Sequence, residues 1–159
     1  MERGKMRPEH RTSEGGFTIV EMLIVVTILS LVALLANTSY RNFRERAILN
    51  RAATVVASDM ALTRSYAIRE RQSVSLVADE ANRMYVIRSA SGDTLGARVF
   101  DAGSDLAIDS LNVLAAGDSI TFNSRGMLTT AFARVDVGRA SGDRQVQVNG
   151  TGRSRIIQP

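Results

Sequence analysis

The chain has 159 residues, carries a formal net charge of +4 and contains no cysteine, which excludes disulfides and thiolate metal sites. Its single histidine, His10, lies near the N-terminus, so the remainder lacks the residues that most nucleophile–base pairs and zinc sites require. The glycines fall at turns and form no phosphate-binding motif. We therefore predict no catalytic residue, no metal site and no cofactor, and we expect that the protein is not an enzyme.

Residues 1–16 are polar and basic and show neither helical nor strand periodicity. Such a segment is typical of a targeting leader that stays in the cytoplasm and does not belong to the fold. A conventional secretory signal peptide is the competing interpretation. It predicts a shorter apolar core without a glutamate and a small-x-small cleavage site, which Leu34-Leu35-Ala36 fits poorly.

An apolar run extends from Phe17 to Ala36, and Glu21 is its only charged residue. As a helix this run is about 30 Å long, enough to cross the hydrocarbon core of a bilayer. A helix also satisfies its own backbone hydrogen bonds in lipid. A buried core helix is the alternative, but no other segment is apolar enough to surround it. We predict a transmembrane helix over residues 17–39.

Glu21 is unusual because a carboxylate within an apolar span costs about 2–3 kcal/mol at the bilayer centre and less near its edge. A charge at this place predicts a functional role and a cationic partner. Cleavage between Gly16 and Phe17 would create an α-amino group one helical turn from Glu21. That group could pair with Glu21 in the same chain or in a neighbouring copy.

The stretch Gly15-Gly16-Phe17-Thr18-Ile19-Val20-Glu21-Met22-Leu23 resembles the class III signal of type IV pilins and type II secretion pseudopilins. The resemblance implies that a prepilin peptidase cuts between Gly16 and Phe17 and that Phe17 becomes N-methylated. It also implies that Glu21 pairs during assembly with other pilin or pseudopilin subunits. Many pilins carry a proline shortly after the apolar run, where this chain has Asn37-Thr38-Ser39, so the resemblance does not extend to a helix kink there.

Residues 40–71 continue the helix with an amphipathic pattern. Apolar positions recur at steps of three and four residues along Ile48, Ala52, Val55, Asp59, Leu62 and Tyr66, flanked by Leu49, Ala53, Val56, Met60 and Ala67. No proline or glycine interrupts residues 17–71, which predicts one long helix. The segment Met60–Arg69 resembles a segment of the GspH/FimT branch of the pilin family.

Residues 72–159 show a two-residue period separated by turn sequences. The predicted strands are Ser73–Ala78, Arg83–Arg88, Ala97–Phe100, Asp118–Phe122, Arg134–Val137, Arg144–Val148 and Arg153–Ile157. Residues 101–117 are apolar but irregular, and their pattern yields no assignment. We predict an α+β fold in which a long N-terminal helix packs on a small antiparallel β-sheet or sandwich, and the resemblance implies that it is pilin-like.

The segment Gly152-Arg153-Ser154-Arg155 places two arginines on one face of a predicted strand. With Arg139 and Arg144 it forms a basic patch that suits two or three phosphates, and we expect no aromatic residue nearby for base stacking. The segment resembles the Gly-Arg-x-Arg motif of DNA-binding FimT-like minor pilins. We therefore expect any binding to be to the backbone of double-stranded DNA. The alternative is a solvated edge strand whose charges prevent aggregation.

Two functions remain open on the sequence alone. The first is a GspH/FimT-type subunit of a type II secretion pseudopilus, acting in protein secretion. The alternative is a minor pilin of a type IV pilus that binds DNA for natural transformation. In both cases the resemblance implies a single-pass protein of the bacterial inner membrane with a periplasmic C-terminal domain, which is incorporated into a pilus or pseudopilus.

Overall fold

The computed structural model describes residues 16–101 and 103–158, so the predicted leader before Gly16 lies outside the described residues. These residues form two compact units that divide between Ser39 and Tyr40. Helix α1 spans Ile19–Glu70, and a short 3-10 helix spans Ala116–Asp118. The strands are β1 (Val74–Asp79), β2 (Met84–Ser89), β3 (Thr94–Val99), β4 (Ser110–Leu114), β5 (Ser119–Phe122), β6 (Phe132–Arg139), β7 (Gly142–Asn149) and β8 (Ser154–Ile157).

Helix α1 begins at a reciprocal cap between Thr18 and Glu21. The Glu21 amide donates a hydrogen bond to Thr18 Oγ1 at 3.2 Å, and the Thr18 amide donates to Glu21 Oε2 at 3.3 Å. This is the capping-box pattern, which satisfies two backbone N–H groups that a helix N-terminus leaves without partners. The sequence therefore specifies the start of the helix directly after Thr18.

The first unit consists of the apolar part of α1, whose large side chains are exposed. Two of its hydroxyl side chains are satisfied internally, because Thr27 Oγ1 donates to Leu23 O at 2.7 Å and Ser30 Oγ to Val26 O at 2.8 Å. An 18-residue window of α1 has a mean hydropathy of 2.8. By length and composition this helix can cross a membrane.

The second unit contains two four-stranded sheets in which each strand pair is antiparallel. Sheet A has the order β3-β2-β1-β5, and sheet B has the order β4-β6-β7-β8. Their inner faces and the second half of α1 enclose one hydrophobic core. The predicted α+β class, with a long helix packed on small antiparallel sheets, is confirmed.

Strand β4 lies within the stretch that the sequence pattern left unassigned. Its Leu111 and Val113 are buried and alternate with exposed neighbours, as a half-buried strand requires. Leu114 is apolar although it is exposed, so an apolar residue stands where the alternation requires a polar one. The sequence pattern therefore does not show the two-residue period of β4. Strand β6 is also longer than predicted and begins at Phe132 rather than Arg134.

The buried face of α1 is rotated about the helix axis relative to the predicted stripe, and its centre lies about one residue further along the sequence. The residues predicted to flank the stripe are buried, whereas Leu62 on its predicted centre line is 42% exposed. The buried set is Leu49, Ala52, Ala53, Val56, Asp59, Met60, Thr63 and Ala67. Alanine is frequent in this set, so the strands can approach the helix backbone closely, and the larger side chains remain at the margins.

Asp59 links α1 to sheet A from within the core. It is 7% exposed and accepts hydrogen bonds from Tyr85 Oη at 2.7 Å and from Arg98 Nε and Nη2 at 3.0 and 3.2 Å. Burial raises the pKa of Tyr85, and its hydrogen bond to Asp59 raises that pKa further, so the phenol remains a donor. The sequence pattern placed Asp59 in an apolar stripe because its two partners lie on distant strands.

We expect Asp59→Asn to lower the free energy of unfolding by about 1–2 kcal/mol, because an amide cannot balance the charge of the partly exposed Arg98. Urea unfolding of the full chain in non-ionic detergent measures this loss. Asp118→Asn is the matched control, since the Asp118 side chain is exposed and makes no hydrogen bond or ion pair within the described residues. An Asp59→Asn protein as stable as the control would contradict the assignment.

Candidate functional site

The predicted cleavage point lies just before α1. Gly16 and Phe17 are both exposed and precede the first helical residue. A Cβ atom placed on Gly16 meets no other atom within 4 Å. The peptide bond between the two residues therefore lies in an exposed segment outside the helix. Cleavage there, and methylation of Phe17, stay predictions.

The carboxylate of Glu21 turns back toward the predicted new N-terminus. Its Oε2 atom lies 3.3 Å from the Thr18 amide nitrogen and 3.4 Å from Thr18 Oγ1, one residue after Phe17. A negative charge in the first turn also interacts favourably with the helix dipole. The arrangement can accept a hydrogen bond from an α-ammonium group, which is the partner that the sequence predicts.

A tight turn sets the position of the C-terminal arginines. Asn149 Oδ1 accepts hydrogen bonds from Thr151 Oγ1 at 2.7 Å and from the Arg153 amide at 3.0 Å. The Gly152 amide donates to Asn149 O at 2.8 Å, and Gly152 has a φ of 77°, in the left-handed region. The turn therefore directs the chain into β8 with a defined register.

Gly152 also allows a close approach, but the approaching group belongs to the protein itself. A Cβ atom at Gly152 would lie 2.9 Å from Arg64 Cδ and Nε and would also meet Gly126 O. Arg64 Nε donates a hydrogen bond to Gly126 O at 2.9 Å. The glycine of the Gly-Arg-x-Arg segment is thus required for packing against α1.

Arg153 and Arg155 line an open groove of 490 Å³ on the outer face of sheet B, which we call the β6–β8 groove. Its lining residues are Phe132, Gln147, Val148, Asn149, Arg153, Ser154 and Arg155. Both arginine side chains are exposed and make no hydrogen bond or ion pair with another residue in the described part of the chain. No acidic residue is among the groove's lining residues. The groove therefore presents positive charge that no described residue neutralises.

The inference that no aromatic residue lies near these arginines is wrong. Phe132 lines the same groove and is 48% exposed. It is distant from Arg153 in the sequence, but β6 pairs with β7 and β7 pairs with β8. The β6–β7 hairpin therefore brings Phe132 into the groove, through strand pairing that local sequence patterns do not encode.

Arg139 and Arg144 lie apart from this groove, on the opposite face of sheet B. Arg139 Nε donates to Glu45 Oε2 at 2.7 Å, and its guanidinium also donates to Ala107 O. Arg144 Nε donates to Asn50 Oδ1 at 2.8 Å. The structure does not bring these two residues together with Arg153 and Arg155. They hold α1 against sheet B, and the hydrogen bond from Arg139 lowers the pKa of Glu45.

The described residues contain no group of three or more metal-ligating side chains. Three acidic side chains of the second unit have structural partners instead. Asp59 binds Arg98, Glu45 binds Arg139, and Glu80 Oε1 accepts a hydrogen bond from the Val113 amide at 2.6 Å. These carboxylates therefore join elements of the fold.

Comparison with protein families identifies the chain. The model described as Type II transport protein GspH matches residues 52–152, more than half of the sequence. The chain belongs to the GspH family. A second model, the prokaryotic N-terminal methylation motif, matches residues 11–37, which include Gly16, Phe17 and Glu21. The resemblance to the superfamily of type IV pilins and type II secretion pseudopilins is thereby confirmed.

The fold of this GspH family member is similar to that of a solved pilin structure. The type IV minor pilin FimU of Pseudomonas aeruginosa is 22% identical with a TM-score of 0.56, and the match covers 74% of this chain and 92% of FimU. The minor pseudopilin EpsH of Vibrio cholerae is 14% identical with a TM-score of 0.47, over 70% of this chain and 97% of EpsH. A search among curated proteins gives no match. The likeness to FimU confirms the pilin-like fold.

Family membership establishes the general role. Members of the GspH family are structural subunits of the pilin and pseudopilin type rather than enzymes. The protein is therefore a minor pilin or pseudopilin of a type IV pilus or a type II secretion system. Its apolar N-terminal helix is the membrane-anchoring element of such a subunit.

We expect Gly152→Ala to destabilise the fold more than Gly117→Ala by about 1–3 kcal/mol, the usual cost of overpacking. Both glycines have a left-handed φ, 77° and 70°, but a Cβ atom at Gly117 meets nothing within 4 Å. The difference between the two variants in urea unfolding therefore isolates the contacts of Gly152 with Gly126 O and Arg64. Equal losses of stability in the two variants would show that these contacts are not tight.

Proposed function

We propose that the protein is a non-enzymatic pseudopilin that assembles into the pseudopilus of a type II secretion system and acts in protein secretion. The observation that carries this proposal is the exposed apolar part of α1, in which Glu21 is the only charged residue between Phe17 and Ala36. The matching family model, described as a type II transport protein, supports the choice of machine.

The first unit presents a large apolar surface. Exposed side chains from Phe17 to Leu35 need either lipid or other apolar helices around them, because burial stabilises by about 25 cal/mol per Å² of apolar surface. Glu21 is costly in lipid unless it has a partner. A filament of parallel helices supplies both, with Glu21 bound to the α-amino group of Phe17 in a neighbouring copy.

The protein is processed at its N-terminus and anchored in the inner membrane. A prepilin peptidase cuts between Gly16 and Phe17 and methylates Phe17, and the basic leader remains in the cytoplasm. The protein crosses the inner membrane once, with residues 72–159 forming a periplasmic β domain after the helix continuation at 40–71. Other pilin or pseudopilin subunits are its partners in the filament.

A second candidate function is DNA binding by a minor pilin of a type IV pilus. The β6–β8 groove favours it, because Arg153 and Arg155 lie side by side without an acidic neighbour among the lining residues. Phosphate groups are suitable ligands for such arginines. In this candidate Arg139 and Arg144 contribute indirectly, because their hydrogen bonds to Glu45 and Asn50 hold sheet B against α1.

We expect Glu21→Ala to be processed normally but excluded from filaments, since the neighbouring α-amino group loses its partner. A gene that encodes the variant replaces the natural gene. Immunoblots then measure processing, and cross-linking measures incorporation into filaments. Gly16→Val is the matched control, which should remain at precursor size. Normal incorporation of Glu21→Ala would refute the pairing.

The same strains decide between the two machines. The proposal predicts that Glu21→Ala reduces the amount of type II substrate proteins in the culture medium and leaves type IV pili intact. Normal secretion combined with lost piliation or DNA uptake would reject the secretion role and favour the minor pilin.

For the second candidate, we expect the double variant Arg153→Ala, Arg155→Ala to lose affinity for double-stranded DNA. The slope of log K against log salt concentration should fall by about two, because two phosphate contacts disappear. Fluorescence anisotropy of the full chain in non-ionic detergent measures both quantities. Arg88→Ala, Arg125→Ala is the control with the same change in charge at exposed positions outside the groove. Equal affinities of the two double variants would exclude the groove.

A further inference from the structure

The β6–β8 groove combines an exposed aromatic ring with unpaired cationic side chains. We propose that this groove binds single-stranded DNA, with one base stacked on Phe132 and the adjoining phosphates bound by Arg153 and Arg155. The inference rests on the second candidate function, DNA binding, and names the form of DNA that the groove selects. The sequence alone predicts binding to double-stranded DNA, because it does not show that an aromatic residue lies beside the arginines.

Phe132 is a large apolar residue that does not belong to the hydrophobic core. Its neighbour Ala133 is fully buried, so strand alternation directs the Phe132 side chain to the outer face of sheet B. The register places Phe132 opposite Asn149, next to the turn that leads to Arg153. Antiparallel sheets that bind single strands use exposed aromatic residues in this way, since each base has a flat face that stacks on an aromatic ring.

The spacing of the charged residues fits a strand of DNA that crosses the sheet. Arg153 directly precedes β8 and Arg155 lies within it, two residues or about 7 Å further along the chain. Phe132 lies two strands away, about 10 Å across the sheet. The groove volume of 490 Å³ is in the range of sites for small organic ligands, about 300–1,000 Å³. An unstacked base with its sugar has room there, whereas a paired base cannot present its face.

A free amide lies on β7, the strand between β6, which carries Phe132, and β8. Gln147 on β7 is opposite Arg155 on β8, and its side chain makes no hydrogen bond with another residue of the described part of the chain. An amide both donates and accepts hydrogen bonds, so Gln147 can contact the edge of a base of any type. The groove thus offers a stacking surface, a polar contact and two phosphate ligands, with little selection by sequence.

The charge of the groove argues for an anionic occupant, and the ring argues for a flat one. An acidic peptide shares the charge of DNA but lacks bases, so it tests whether Phe132 matters. We therefore compare three fluorescent probes with equal numbers of negative charges: a single-stranded oligothymidine, a DNA duplex and a polyglutamate peptide. Anisotropy titrations use the full chain in non-ionic detergent at one fixed salt concentration.

We expect the natural protein to bind the single strand about tenfold more tightly than the duplex, the effect of stacking one base. Phe132→Leu should remove this preference, because leucine keeps the apolar surface but cannot stack. Phe132→Tyr should retain the preference. Leu114→Ala is the control for loss of an exposed apolar side chain on another strand of sheet B.

The outcomes separate the two hypotheses. Equal affinity for single strand and duplex, a preference that survives in Phe132→Leu, or polyglutamate binding as tight as that of the single strand would overturn the inference. Duplex binding that depends on Arg153 and Arg155 would leave the second candidate function standing. Absence of binding to either form of DNA would reject both. Thermal unfolding of each variant verifies that Phe132→Leu is folded.

Discussion

The close packing of α1 against two sheets at once is the constraint on which the second unit depends. Sheets A and B consist of different strands, and the helix face between Leu49 and Ala67 contributes to the core that they share. Residues 52, 53 and 67 are buried alanines, whose small side chains allow both sheets to pack close to the helix. Polar contacts then fix the helix to each sheet: Asp59 to Tyr85 and Arg98 on sheet A, and Glu45 and Asn50 to arginines on sheet B.

Strand alternation divides the four arginines of the predicted basic patch into two groups with different chemistry. Arg139 and Arg144 face α1 and are bound by Glu45 and Asn50, whereas Arg153 and Arg155 face outward and are unpaired within the described residues. A basic patch counted along the sequence therefore separates into a structural pair and a solvent-facing pair. Only the second pair is free to bind a phosphate group, and it shares its groove with Phe132.

Short-range patterns account for the parts of the structure that the sequence predicts. The capping residues Thr18 and Glu21, the uninterrupted helix and the alternating strands are all encoded within a few neighbouring residues. The rotation of the helix face and the position of Phe132 depend on which strands pair, and local periodicity carries no such information. The exposed Leu114 hides the alternation of strand β4 from the sequence pattern. The ion pair of Asp59 is hidden for a different reason, because its partner Arg98 lies on the distant strand β3.

The cap at the start of α1 provides Glu21 with hydrogen-bond partners within its own chain. Glu21 already accepts hydrogen bonds from the Thr18 amide and hydroxyl, at 3.3 and 3.4 Å, so its charge is partly satisfied in an isolated chain. In the proposed assembly, a neighbouring α-amino group exchanges with these long bonds rather than relieving a bare charge. The contribution of Glu21 to the free energy of adding a subunit is then a small difference between two satisfied states. In the proposed filament, this exchange would therefore oppose neither the addition nor the release of a subunit.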